Sequence, residues 1–257
     1  HPAEIELPAA IIMPFSYRRA DKIITISEHT KKDITKYLHI PTEKIKVIYS
    51  AADKEFFASD HSQEKISFIK NKYKIKKNYL LHIGTLNPRK NLQFLIKVFS
   101  QIVEQFPDYQ LVITGKKGWH YQGLFDSVKN YGLENKVIFT GYIKDSDKPA
   151  FYQGASLFVF PSLYEGFGLP PLEAMVSGCP VIASNTSSIP EVVGDAGILL
   201  SPNDELAWVR SIKQVLSDKN IHRNLVKQGL EQAAKFSWEK SARETLMVYE
   251  EVYENRH

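Results

Sequence analysis

Apolar residues in this chain fall in short continuous runs, separated by stretches with helical spacing. Ile-Ile-Thr-Ile-Ser at 23–27 predicts a short buried strand. Ser27 offers a helix cap with Thr30 near the start, and Ile34, Tyr37 and Leu38 recur at helical spacing. Ile45–Tyr49 predicts a second strand. Residues 54–78 are polar and lysine-rich, with one amphipathic helix carrying Ile66, Ile69 and Tyr73. From Tyr79 the alternation becomes regular. Strands are predicted at Tyr79–Ile83, Gln110–Thr114, Val137–Thr140, Leu157–Phe160, Val181–Ala183 and Ile198–Leu200. Helices are predicted between them at Leu92–Phe106, Gly123–Tyr131, Lys148–Gly154 and Pro170–Ser177, with a short one starting near Pro190. This order predicts an α/β fold, a doubly wound parallel sheet with helices on both faces. Unbroken apolar strands are what a sheet covered on both faces requires. After Pro202 the pattern is helical only, at about 204–217, 219–235 and 238–255, with Asn203-Asp204 and Ser237 as caps.

The pattern divides the chain into three parts. Residues 1–53 have the rhythm strand, helix, strand and read as the end of another domain. Residues 54–237 hold a complete α/β domain, and 238–257 a final helix. The chain starts at His1 rather than Met and reads as a cut, with a segment expected before it. The apolar stretch at 8–15 is too short for a signal core.

Composition narrows the function. The chain has 257 residues with 43% hydrophobic and 24% charged, a globular composition, and its aromatics supply a core that rules out overall disorder. No apolar run approaches the ~20 residues of a membrane span. The single cysteine, Cys179, excludes an internal disulfide and a cysteine-rich zinc site, and reads as a core residue before an apolar strand. The net charge of +4 is lysine-driven and scattered, which argues against nucleic acid as a partner. The densest basic run, Lys65 to Lys77, reads as a solvated helix face, with contact to an anionic membrane surface as the alternative.

In open α/β sheets ligands bind at the carboxyl ends of the strands. After the 79–83 strand comes Gly84-Thr85-Leu86-Asn87-Pro88-Arg89-Lys90-Asn91, with two adjacent cations just before a helix, a combination suited to an anion. Gly115-Lys116-Lys117-Gly118-Trp119 follows the next strand but matches no phosphate-loop pattern. After the 157–160 strand comes Pro161-Ser162-Leu163-Tyr164-Glu165-Gly166-Phe167-Gly168-Leu169-Pro170-Pro171-Leu172-Glu173. Gly166 and Gly168 let backbone approach a ligand, and Pro170 and Pro171 suit the first turn of a helix whose positive end faces it. Glu165 and Glu173 suit the hydroxyls of a sugar and a ribose; the plainer reading is a helix-dipole acid and a surface glutamate. Asp145-Ser146-Asp147 has the spacing of a metal motif but reads as capping of the next helix. Asn185-Thr186-Ser187 matches a glycosylation sequon without secretory support. The histidines 29, 39, 61, 82, 120 and 222 show no metal-ligand spacing, so no metal is expected.

Taken in order, GTLNPRKN at 84–91, ITGKKGW at 113–119, FTGY at 139–142, PSLYEGFGLPPLEAM at 161–175, SGCPVIASN at 177–185, PEVVGDAG at 190–197 and FSWEKSA at 236–242 resemble the retaining glycosyltransferases of family four, which have the GT-B fold. The resemblance runs from about 21 to 255. It implies that Arg89 and Lys90 neutralise the diphosphate of a nucleoside-diphosphate sugar and that Glu165 contacts the transferred sugar. Backbone at Gly166, Phe167 and Gly168 would hold sugar hydroxyls, and Leu169 would lie at the phosphate end. Glu173 would accept hydrogen bonds from the ribose, and the backbone of Ile143 would read the base. The implied chemistry is transfer with retention to a glycan or lipid-linked acceptor, with fixed cations rather than a metal or cofactor at the leaving group. The implied place is the cytoplasm, at the inner membrane face. The motif style leans toward GDP-mannose and leaves UDP sugars open. Ser50-Ala51-Ala52-Asp53 stands where the family often has Asn-Gly-Val-Asp. Most of the family's N-terminal acceptor-side domain is absent, so 1–53 would be its remnant, and 238–255 would cross back toward it. His1 is a candidate for that domain's catalytic histidine. A nucleotide-sugar-binding subunit that is silent without a partner chain is the alternative, and an epimerase or phosphorylase of the same fold a third reading.

Overall fold

The apolar runs at 79–83, 110–114, 157–160 and 181–184 do become strands buried on both sides, while those at 137–141 and 198–200 are only partly buried. The computed structural model describes residues 14–53, 56, 63–76 and 78–256; His1 and Lys77 lie outside them. By its contacts the chain divides into two units. One takes the described residues up to Ala51 together with those from Ser237; the other is Ala52–Phe236.

In the first unit, β1 (Ile23–Thr25) pairs in parallel with β2 (Ile45–Val47), with Ile23 opposite Ile45. Helix α1 (Glu28–Leu38) joins them, capped by Ser27, whose Oγ accepts from the Thr30 amide at 3.0 Å. Ile23, Ile34, Ile40 and Ile45 form the small core. The expected buried strand 23–27 is shorter and one-sided: Ile24 and Ile26 are exposed, because a two-stranded sheet with a core on one face leaves alternate residues outside. The last helix (α10, Trp238–Glu254) belongs to this unit. Ser237 Oγ caps it, and Ser241 donates to the Tyr49 carbonyl at 2.5 Å.

The second unit holds a six-stranded parallel sheet in the order β5-β4-β3-β6-β7-β8. The strands are β3 (Asn78–Ile83), β4 (Tyr109–Thr114), β5 (Val137–Gly141), β6 (Leu157–Phe160), β7 (Val181–Ser184) and β8 (Ile198–Leu200). The intervening helices are α2 (Gln63–Lys72), α3 (Leu92–Ser100), α4 (Gln122–Asn130), α5 (Lys148–Gly154), α6 (Leu169–Val176) and α7 (Ile189–Val193), followed by α8 (Glu205–Ser217) and α9 (Lys219–Ala233). The predicted doubly wound sheet is present. Two local expectations need correction. The helix predicted over Leu92–Phe106 ends at Ser100, where Gln101 and Ile102 bond three residues back, to Val98 and Phe99, and the tightened turns lead into Pro107. Asp145 and Asp147 do not cap α5. Asp145 pairs with Lys148 and Asp147 with Lys72, each at 2.8 Å, so lysines outcompete the helix amides for these carboxylates.

Helix α8 is anchored by Trp208. Its ring is fully buried edge-on to Phe94, and its Nε1–H donates to the Ser201 carbonyl at 2.9 Å. Trp208→Ala removes both, and unfolding free energy is expected to fall by about 3–5 kcal/mol, read from urea denaturation. Cys179 is buried, and burial pushes its thiol up, as expected of a core residue.

Candidate functional site

Strand order reverses between β3 and β6. Successive connections run outward from β3 through β4 to β5, and outward from β6 through β7 to β8. The loops leaving the carboxyl ends of β3 and β6 therefore part and open a crevice, the place where doubly wound sheets bind ligands. The first loop carries Arg89 and Lys90, the second Glu165.

These three meet. Lys90 Nζ lies 2.5 Å from Glu165 Oε1, and Arg89 Nη1 lies 2.8 Å from Glu165 Oε2. Arg89 also donates to the Tyr164 carbonyl at 2.5 Å, and its own carbonyl accepts from the Leu163 amide at 2.8 Å, so the two loops are pinned together. Lys90 is buried, with its ammonium 4.7 Å above the Phe160 ring. Burial lowers its pKa, and Glu165 opposes that shift. Glu165 is 7% exposed, so one buried carboxylate satisfies two cations.

The loop backbone is braced from beneath by residues that sequence reasoning missed. Glu165 N–H donates to Ser187 Oγ at 2.8 Å, and the Ser188 hydroxyl reaches the carbonyls of Glu165 and Phe167 at 2.9 and 2.8 Å. Ser187 takes a left-handed φ of 52°, rare for a side-chain-bearing residue, to present that oxygen. Thr186 Oγ1 donates to the Ser162 carbonyl at 3.0 Å. Thus the hydroxyls at 186 and 187, which read as a glycosylation sequon, are spent on the β6 loop.

Helix α6 starts at Leu169, with Gly168 as cap at φ 115°. Pro170 and Pro171 sit in the first turn and carry no N–H. The expected amide-rich end is thereby narrowed to the N–H groups of Gly168 and Leu169, which have no partner among the described residues. Glu173, inside this helix, accepts from Tyr152 Oη at 2.8 Å. Burial raises its pKa, Lys148 and Tyr152 oppose the rise, and Asp53 and Asp145 add to it. Ile143 is buried two residues after β5, on the segment that leads through Asp145 to Lys148. The structure therefore brings Arg89, Lys90 and Glu165 into one cluster, and it sets Glu173 in a second with Tyr152 and Lys148.

Two further features lie at the carboxyl ends of the strands. His82 is fully buried and stacked on Phe160, and its Nδ1 is 3.1 Å from the Val159 carbonyl. Burial and the nearby Lys90 push its pKa down to about 3, so the ring is neutral and Nδ1–H is the donor. Its Nε2 has no partner among the described residues. The Gly84–Trp119 loops are laced together: Gly84 N–H bonds Thr114, Leu86 N–H bonds Lys116, and Gly118 N–H bonds Leu86, at 3.0, 2.9 and 3.0 Å. Gly115 and Gly118 serve this close parallel approach of the two loops, which the sequence at 115–119 does not reveal. Among the described residues no three His, Cys, Asp or Glu side chains are grouped to hold a metal, and no helix is long and apolar enough to cross a membrane.

Comparison with known proteins gives a consistent picture. The family model described as glycosyl transferases group 1 matches residues 62–232. A serotype-specific mannosyltransferase, WbdA, of Escherichia coli is 37% identical over 231 residues, which cover 88% of this chain and 28% of that protein. The O-antigen chain mannosyltransferase B of Escherichia coli is 36% identical over 232 residues, covering 90% and 60%. A glycosyltransferase structure from Rickettsia africae superposes with a TM-score of 0.84 at 20% identity, covering 95% of this chain and 68% of that one. Anabaena HepE, in complex with UDP and glucose, gives 0.82 at 22% identity, covering 91% and 64%. The chain thus spans between about a quarter and three fifths of the length of these curated relatives.

Proposed function

We propose, given that this chain belongs to the group 1 glycosyl transferases, that its crevice binds a nucleoside-diphosphate sugar and supports transfer of the sugar, with retention, to a glycan or lipid-linked acceptor. The observation that carries this reading is the meeting of Arg89, Lys90 and Glu165 at the reversal of strand order. A diphosphate is the ligand that two fixed cations and the N–H groups of Gly168 and Leu169 recognise together. When it binds, its phosphates share Arg89 and Lys90 with Glu165, whose remaining lone pairs accept from sugar hydroxyls. Backbone at Gly166–Gly168 holds further hydroxyls, Glu173 accepts from the ribose, and the backbone of Ile143 meets the base.

As the glycosidic carbon–oxygen bond breaks, charge develops on the terminal phosphate oxygens. Preorganised cations lower the barrier at that point, so the proposal needs no divalent metal. The relatives named as mannosyltransferases support mannose as the sugar; the donor proposed is GDP-mannose, with a UDP-sugar as the alternative. A place at the inner face of the cell membrane accords with a lipid-linked acceptor.

Calorimetric titration with GDP, UDP and dTDP, with and without magnesium, tests this reading. One nucleotide is expected to bind selectively, equally well without metal, and at least tenfold more weakly to the Glu173→Ala variant. Binding that requires magnesium, or that Glu173→Ala leaves intact, overturns the assignment.

A further inference from the structure

Tyr152 is the largest polar side chain at the floor of the Glu173 cluster, and none of the site roles above uses it. It lies on α5, fully buried, with its ring edge-on to Phe158 at 5.3 Å and to Phe56 at 6.0 Å. A phenol has one hydrogen to donate, and a buried one needs a partner. That hydrogen goes to Glu173 Oε2 at 2.8 Å, the one hydrogen bond to this carboxylate among the described residues. Lys148, the nearest cation acting on Glu173, places its ammonium on Asp145 instead, at 2.8 Å. One carboxylate oxygen is therefore anchored by a fully buried side chain, and Oε1 accepts from no side chain or amide among the described residues and is not one of the enclosed unpartnered atoms.

We propose that Tyr152 is a positioning residue for donor binding: by holding Glu173 Oε2 it fixes the plane of the carboxylate and directs Oε1 at the ribose hydroxyls. This rests on the reading that Glu173 accepts from the ribose. The ring packing of Tyr152 against Phe158 and Phe56 makes the anchor rigid, so the acceptor is oriented before the donor arrives.

A second consequence concerns charge. The groups acting on Glu173 are Lys148 and Tyr152 from α5, Asp145 from the turn after β5, and Asp53 from the segment before α2. Burial and the two aspartates favour the protonated acid; the phenol and Lys148 favour the carboxylate. A group with a raised pKa becomes a carboxylate only above that pKa. Donor binding therefore weakens as pH falls through it, and removing the phenol moves this acidic limb to higher pH.

The experiment is nucleotide titration of the full chain, using whichever of GDP and UDP it binds, beside the 2′-deoxy form, across pH 4–8. Tyr152→Phe keeps the ring and deletes only the hydroxyl. The expected results are affinity reduced about tenfold, a smaller preference for ribose over deoxyribose, and an acidic limb at higher pH. In turnover, KM for the donor rises while kcat changes less than twofold. Placing 3-fluorotyrosine at 152 alone makes the phenol a stronger donor at the cost of one small substituent, and is expected to move the limb the other way. A Tyr152→Phe protein with a lower melting temperature, but with ribose preference and acidic limb unchanged, overturns the proposal, since a purely structural hydroxyl would behave so. Glu173→Ala separates the two readings. If it keeps the ribose preference, the ribose role of Glu173 is wrong. If it loses that preference while Tyr152→Phe keeps it, only the positioning role is wrong.

Discussion

Lys90→Ala is expected to lower kcat/KM for donor by about 10²–10³-fold, the loss seen when one preorganised group at a developing oxyanion is removed. Lys90 is 5% exposed, sandwiched between the Phe160 ring and Glu165, so its charge acts through little water. Arg89 cannot replace it, because Arg89 is the outer partner and is tied to the Tyr164 carbonyl as well. The variant also leaves Glu165 with a single cation, which strengthens the remaining pair and holds the carboxylate back from the sugar. Lys90→Arg is not a conservative exchange here: the buried ammonium sits 4.7 Å over the Phe160 ring and 2.5 Å from Glu165 Oε1, and a guanidinium is larger and planar. Steady-state kinetics on the full-length protein decides the matter. Turnover within threefold of the parent would remove Lys90 from the leaving-group role.

Gly115→Ala is expected to destabilise the second unit by more than about 4 kcal/mol, a size reserved for a few mechanisms, forced backbone displacement among them. An added Cβ would stand 1.9 Å from the Gly84 carbonyl oxygen, inside any tolerable contact, and the obstacle is backbone. The residue also sits at φ 145°, which side chains disfavour. Gly115 N–H bonds the Gly141 carbonyl at 2.9 Å, so shifting it disturbs the turns after β3, β4 and β5 together. The urea midpoint reads this directly, and a change below about 1 kcal/mol would mean the loop contact has slack that the structure does not show.

Much of this architecture is legible in the sequence for a simple reason. A strand buried on both faces has little room for polar side chains, so the unbroken apolar run Leu157–Phe160 announces its own limits. Helix ends are harder. Ile102, Val103 and Phe106 prolong the apolar spacing of α3, yet the chain has already tightened into turns. Arg89, Lys90 and Glu165 stand out because charges next to glycine and proline at strand ends are conspicuous. Tyr152 does not: in Ala-Phe-Tyr-Gln-Gly it looks like any aromatic on a buried helix face, and only the fold shows that its hydroxyl reaches α6. The same holds for Ser187, whose value lies in a backbone angle. Gly115 is visible as a glycine, but a loop packed against neighbouring backbone and a loop around a ligand ask for the same residue.

The pairing of β3 with β6 has a temporal meaning. These strands are neighbours at the sheet centre, with Leu80 opposite Leu157 and Leu81 opposite Phe158, although β4 and β5 lie between them in the chain. The cations arrive on one side of that seam and the carboxylate on the other, 75 and 76 residues apart. No local stretch can preform the cluster, so it exists only after the contact of greatest sequence separation in the sheet has closed. Under the proposed function, nucleotide affinity then doubles as a clock for folding. A refolding chain should gain far-ultraviolet helix signal first and competence for nucleotide last, and substitutions along the seam that slow its closure should delay the second signal without touching the first.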